Sequence, residues 1–121
     1  MKRVLAFAIL MVGLLLLCQG GADAGAKGGQ KRFKNVKVPA KGEVVYKVVF
    51  KAEETAEFAI IGDTDTDVDI FVYDADGKEV TKDEGLSDLG MVRWRPTKEQ
   101  EYKIVVKNLG KVFNVCQMGH N

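Results

Sequence analysis

Residues Ala56–Asp74 hold two apolar runs with strand character on either side of an acidic loop. The first run, Ala56–Ile60, alternates between two faces, as expected of a strand with one face in a core. The second run, Val68–Tyr73, is apolar on both faces, which is typical of a central strand. We predict that Val68, Ile70 and Val72 point inward and that Phe71 and Tyr73 lie on the opposite face.

The rest of the chain shows the same two-residue alternation of apolar and polar side chains, and no helical periodicity appears. Glu43–Ala52, Met91–Arg95 and Glu101–Lys107 alternate between apolar and polar residues. The turn sequence Asp74–Gly77 predicts a hairpin. About eight short strands, with turn signals about every eight to twelve residues, favour an all-β fold. We predict a jelly-roll-like antiparallel β-sandwich, with a closed barrel as the alternative.

In the acidic loop, aspartate recurs at every second position, as Asp63, Asp65, Asp67 and Asp69. On an extended backbone these carboxylates share one face and repel one another. One interpretation is a calcium site in which Asp63, Asp65 and Asp67 supply carboxylates, because calcium takes oxygen ligands from such loops. Asp69, Asp88 or main-chain carbonyls would complete it. The alternative is that the aspartates cap turns and line a solvated edge. An EF-hand is excluded, because the sixth and twelfth positions from Asp63 are Val68 and Asp74.

The first 24 residues have the features of a secretory signal peptide. Lys2 and Arg3 precede an apolar run, Val4–Leu17, and small residues end at Ala24. We predict cleavage after Ala24 and a secreted or periplasmic protein. A lipoprotein anchored at Cys18 is the less favoured alternative, because leucine precedes that cysteine. No later stretch has the length of a membrane span.

The exported chain then forms one domain, with residues 25–32 as a glycine-rich, disordered lead-in and residues 33–121 as the sandwich. Its 16 basic and 16 acidic residues balance, but Glu53–Asp88 alone carries thirteen acidic ones. A nucleic-acid-binding surface needs a basic stripe with interleaved aromatic residues, so nucleic acid is not an expected partner. Cys116 is the one cysteine left, so no internal disulfide is expected.

The order of these motifs resembles the bacterial pre-peptidase C-terminal domain family. The residues that carry the resemblance are IIGDTDTDVDIFVYDADGKEV, MVRWRP and EYKIVVKNLG, within residues 43–118. The resemblance implies a jelly-roll-like β-sandwich found behind secreted peptidases or alone, and related collagen-binding modules bind calcium. This chain departs from the pattern at Cys116, where an aromatic residue is frequent, and no peptidase domain precedes the module.

Three other features have both a functional and a structural interpretation. Cys116 and His120 are too few for a zinc site, so we expect a buried cysteine and a tail histidine. Trp94 is expected in the core. Phe71 and Tyr73 are the candidates for a binding platform.

These observations predict an exported, non-catalytic module for binding or stabilisation, with calcium as its candidate cofactor. The alternative is a secreted adhesion or carbohydrate-binding protein that uses exposed aromatic residues. The expected partner is an extracytoplasmic protein or polysaccharide. An enzyme is disfavoured, because the acidic loop has no neighbouring histidine or lysine to shift a pKa.

Overall fold

A computed structural model describes residues 25–121, and the predicted signal peptide with Cys18 lies outside the described residues. The described part folds into eight strands without a helix. The strands are β1 (Lys31–Val38), β2 (Glu43–Phe50), β3 (Ala56–Ile61), β4 (Val68–Tyr73), β5 (Glu79–Asp83), β6 (Leu89–Trp94), β7 (Gln100–Asn108) and β8 (Asn114–His120).

The strands form two four-stranded antiparallel sheets, with the orders β1-β8-β3-β6 and β2-β7-β4-β5. Among the described strands, only β4 and β5 are consecutive in one sheet, joined by the predicted hairpin at Asp74–Gly77. Every other connection crosses from one sheet to the other. This is the strand order of an eight-stranded jelly roll. The predicted β-sandwich is therefore confirmed, and the barrel alternative is not observed.

The core fills the space between the two sheets, where the alternating residues of facing strands meet. Val68, Ile70 and Val72 are at most 3% exposed, as predicted for the inner face of β4. Trp94 is also buried, and its ring lies edge-on to Phe50 at a centroid distance of 5.0 Å. The expectation that Trp94 belongs to the core is confirmed.

Four connections gather at one end of the sandwich, because β1, β3, β5 and β7 all end there. We call this end the loop end; it comprises residues 39–42, 62–67, 84–88 and 109–113. The acidic loop is one of the four. The connections after β2, β4 and β6 lie at the opposite end. The jelly-roll topology therefore brings together loops that are far apart in the sequence.

The lead-in, residues 25–32, was predicted to be disordered, but its first residues pack against β2. The main chain of Lys27 donates to Val49 O over 2.8 Å, and Gly25 O accepts from Lys51 N over 3.1 Å. Ala26 is 2% exposed and forms a β-bridge with Phe50. Lys31 already belongs to β1. The glycines permit this packing, because Gly25 has φ +90° and a Cβ there would overlap Asn121.

Within residues 25–121, no helix has the length and apolarity needed to cross a bilayer.

Candidate functional site

Asp63, the first aspartate of the acidic loop, uses its carboxylate for main-chain contacts. Its Oδ2 accepts from Val115 N over 2.9 Å, and its Oδ1 accepts from Asp65 N over 3.2 Å. Thr64 has φ +72°, so the loop backbone is not extended and its aspartates do not share one face. The carboxylate of Asp63 therefore caps the turn of this loop.

Behind the acidic loop lies a hydrogen-bonded group that we call the polar anchor, in which Asp88 and Asn114 are buried and Asp63 and Thr66 are half-buried. Asn114 Nδ2 donates to Asp88 Oδ2 over 3.0 Å and to Thr66 Oγ1 over 3.1 Å. Asp63 N donates to Asn114 Oδ1 over 3.0 Å, and Thr64 N donates to Asp88 Oδ2. The polar anchor therefore ties together the β3–β4 loop, the β5–β6 loop and the start of β8.

Asp67 and Asp69 differ from Asp63 because each has a buried carboxylate oxygen without a partner. Among the described residues, no hydrogen bond reaches Oδ1 of either side chain. Asp69 is only 4% exposed. Burial raises the pKa of Asp69 to about 6, with further contributions from the charges of Asp67, Glu84 and Asp83, and Lys107 opposes the shift. An ionised Asp69 is therefore costly without a compensating charge.

The fit of calcium to these residues is partial. Calcium takes about six to eight oxygen ligands. In the described part of the chain, no group of three or more His, Cys, Asp or Glu side chains is arranged to hold a metal ion. Asp65 is exposed, and the Asp63 carboxylate is already bonded to main-chain amides. A calcium site here would take Asp67 and Asp69 as its carboxylates and complete its shell with main-chain oxygens and water.

Phe71 and Tyr73 lie on the outer face of the β2-β7-β4-β5 sheet, opposite the core, and both are half-buried. A lysine from β7 covers each ring. Lys107 Nζ lies 5.1 Å from the centre of Phe71, and Lys103 Nζ lies 5.4 Å from that of Tyr73. The two lysine ammonium groups therefore occupy the ring faces on which a sugar would stack.

Cys116 and His120 lie on β8 with both side chains buried. Burial raises the pKa of Cys116 to about 12, so the thiol is protonated near neutral pH and is a poor nucleophile. The buried cysteine is confirmed, whereas the description of His120 as a tail residue is wrong. His120 is 3% exposed, because β8 runs between β1 and β3 up to that residue.

The loop end also carries exposed apolar side chains that were not predicted from the sequence. Seven large apolar side chains of the described residues are exposed, and five belong to the loop end or its border. We call these five the apolar patch: Leu86, Leu89, Leu109, Val112 and Phe113. The signal in the sequence was weak, because isolated apolar residues in loops are common. Only the strand order places them at the same end of the sandwich.

No family model and no curated protein matches the sequence. The fold is similar to the solved Yersinia pseudotuberculosis-derived mitogen, with a TM-score of 0.56 and 10% identity over 77% of this chain and 85% of that one. It is similar to the pre-peptidase C-terminal domain of a Bacillus anthracis collagenase, with a TM-score of 0.56 and 6% identity over 77% and 88%.

A third similar structure is that of Aeromonas hydrophila PliG, a periplasmic inhibitor of g-type lysozyme, with a TM-score of 0.55 and 12% identity over 85% of this chain and 90% of that one. At such identities the likeness concerns the fold alone. The resemblance to the pre-peptidase C-terminal domain is confirmed at this level. The chain shares its β-sandwich fold with these three proteins.

Proposed function

We propose that this protein is an exported, non-catalytic binding module that contacts an extracytoplasmic protein through its loop end. The observation that carries the proposal is the apolar patch, which places five of the seven exposed large apolar side chains at one end of the sandwich. A concentration of exposed apolar side chains among polar residues is typical of interaction sites.

The charges around the apolar patch favour a protein partner. Lys37 Nζ lies 4.2 Å from the centre of the Phe113 ring, and Lys41 Nζ donates to Leu109 O over 2.7 Å. Asp65 and Glu84 stand exposed on the neighbouring loops. An apolar centre with a rim of both charges has the composition of a protein–protein interface.

Calcium is the candidate cofactor of this end. Among the described residues, Asp67 and Asp69 offer two buried oxygens without hydrogen-bond partners, and burial together with neighbouring carboxylates raises the pKa of Asp69. Asp67 O also accepts from Leu109 N over 2.9 Å, so a cation at Asp67 would act on the β7–β8 loop. Calcium would supply positive charge and coordination at this position, and so order the loops that carry the apolar patch.

The similar structures support this class of function without identifying the partner. One is a periplasmic inhibitor that acts on a lysozyme, and one is a domain of a collagenase. An exported location also agrees with the predicted signal peptide. The lysines over Phe71 and Tyr73 make the carbohydrate platform the weaker alternative.

Site-specific photo-crosslinking in cells tests the proposed surface. A photoreactive residue at Val112, which is 52% exposed in the apolar patch, is compared with one at Val80, which is 41% exposed on β5. We expect discrete protein adducts from position 112 and not from position 80, and Phe113→Ser should reduce them. Equal adducts from both positions, or none from position 112, would contradict a protein-binding loop end. A polysaccharide partner would give no discrete adduct.

A further inference from the structure

A groove opens on the side of the sandwich where β1 and β2 form the edges of the two sheets. Its volume is about 620 Å³, within the usual range for ligand sites. The ring of Phe33 on β1 stacks on Tyr46 on β2 at a centroid distance of 4.3 Å and forms an aromatic wall. The charged or aromatic residues that line the groove are Lys27, Lys31, Phe33, Tyr46, Lys47 and His120.

Part of the β2 edge in this groove already pairs with residues 25–27 of the lead-in. Lys27 N donates to Val49 O, and Lys51 N donates to Gly25 O. Because hydrogen bonding alternates along a strand, the main-chain groups of Val45 and Lys47 face the same open edge. No strand of the described residues lies beyond β2 in its sheet.

The lead-in leaves β2 after Lys27 and does not cover the rest of the edge. Residues 27–28 form a turn, and Gly29 has φ +86°, which directs the chain across to β1. A partner strand that continues the line of residues 25–27 would therefore lie beside Val45 and Lys47. Its alternate side chains would enter the groove next to Tyr46 and Val48.

The charge of the groove selects the chemistry of that partner. Three lysines line it, and no carboxylate within residues 25–121 does. Lys27 has a partner in Glu99 at 3.4 Å, but both side chains are about half exposed or more, so the pair is weak. A second copy of this chain at the β2 edge would bring a second Lys47 to the same basic surface. Charge therefore disfavours self-pairing.

We propose that the β2 edge and the β1–β2 groove bind an extended segment of a partner protein with alternating acidic and apolar residues. The segment adds a strand beside Val45 and Lys47. Its acidic side chains lie on the side of Lys47, and its apolar side chains pack against Tyr46 and Val48. Main-chain hydrogen bonds supply affinity in this mode, and side-chain pockets supply specificity. This site is separate from the loop end and does not depend on it.

The test uses a fluorescent peptide of alternating Glu and Val, about eight residues long, and the purified protein. One comparison peptide has Lys in place of Glu, and another is N-methylated at every second residue to block strand pairing. We expect fluorescence anisotropy to give a Kd at least about tenfold lower for the Glu–Val peptide than for either comparison. Hydrogen exchange of the Val45 and Lys47 amides should slow when it binds.

Two variants of the protein complete the test. Lys47→Glu should weaken binding about tenfold, whereas Lys78→Glu, an exposed lysine in the β4–β5 turn, should change it less than about twofold. Equal binding of the acidic and basic peptides would overturn the proposal, as would equal binding of the N-methylated peptide. Absence of binding at millimolar peptide, or protection of amides outside β2, would also overturn it. Sedimentation that shows a dimer disrupted by Lys47→Glu would assign the edge to a second copy instead.

Discussion

Asn114 Nδ2 donates to Asp88 Oδ2 over 3.0 Å, and both side chains are at most 5% exposed. The two residues are 26 positions apart, at the start of β8 and in the β5–β6 loop. Asn114 also bonds with Asp63 and Thr66 of the acidic loop. This pair is therefore the centre of the polar anchor, and the position of the acidic loop depends on it.

Asn114→Ala should lower the free energy of unfolding by roughly 2 to 4 kcal/mol, because it leaves several buried polar groups without partners. Urea unfolding followed by far-UV circular dichroism measures the change. Ser87→Ala is the matched control, since Ser87 precedes Asp88 but is exposed. Equal unfolding midpoints for Asn114→Ala and the parent would contradict a structural role for the polar anchor.

Trp94→Ala should cost about 3 to 5 kcal/mol, because it leaves a large cavity between the sheets. The ring contacts Phe50 at 5.0 Å and Tyr102 at 5.4 Å between centroids. This cost is a large part of the roughly 5 to 15 kcal/mol that stabilises a domain. Phe113→Ala, at an exposed aromatic residue, should change stability little. A Trp94 variant with the melting curve of the parent would be incompatible with the packing described.

Stability should decrease in mild acid because of His120. Burial lowers the pKa of His120 from its ordinary value of 6.5, and Lys31 adds to the shift, whereas the contact of Nδ1 with Asn121 O at 2.8 Å opposes it. The folded state thus keeps the imidazole neutral while the unfolded chain takes up a proton below about pH 6.5. The stability from neutral His120 is present above that pH and is lost as the pH falls.

The difference in unfolding free energy between the parent and His120→Gln isolates this effect from other titrating groups. It should shift in favour of the variant when the pH is lowered from about 7.5 to about 5.5. Denaturant unfolding at both pH values measures it. A difference that does not change with pH would show that His120 titrates alike in both states.

The predicted export signal gives an independent test. Intact-mass and amino-terminal analysis of the protein recovered outside the cytoplasm should place its first residue at or near Gly25. Recovery with Met1 retained would refute cleavage, and a lipid-modified Cys18 would identify a lipoprotein.

Local patterns in the sequence predicted much of the fold. Alternation identified β2 and β7, a run that is apolar on both faces identified β4, and Asp74–Gly77 identified the hairpin, because these features depend on neighbouring residues. The inward set Val68, Ile70 and Val72 followed from the same period. The two-sheet arrangement followed from many short strands without a helical period.

The candidate site was less predictable, because long-range contacts determine it. The spacing of the four aspartates suggested one set of ligands, but Asp63 is bonded to Val115, 52 positions away. No local signal distinguishes Asp63 from Asp69, which the fold buries. His120 and the lead-in were also misjudged, because their burial arises from pairing between the two ends of the described chain.

The effect of replacing Asp69 on stability should have opposite signs without and with calcium. In chelator-treated protein, Asp69→Asn should be as stable as the parent or more stable, because it removes a buried carboxylate among like charges. In saturating calcium the same variant should be less stable than the parent, because it lacks a ligand. Asp76→Asn, at an exposed aspartate in the β4–β5 turn, is the control and should keep the response of the parent.

The most direct measurement is the melting temperature of chelator-treated protein as calcium is added. At about a hundredfold excess over Kd, binding to the folded state alone contributes about 2.7 kcal/mol. For a domain of about 100 residues this corresponds to a rise of roughly ten degrees or more. Sodium at matched ionic strength should raise it much less, because screening supplies no coordination. A calcium response equal to that of sodium, or one that persists in Asp67→Asn and Asp69→Asn, would contradict a calcium site at the loop end.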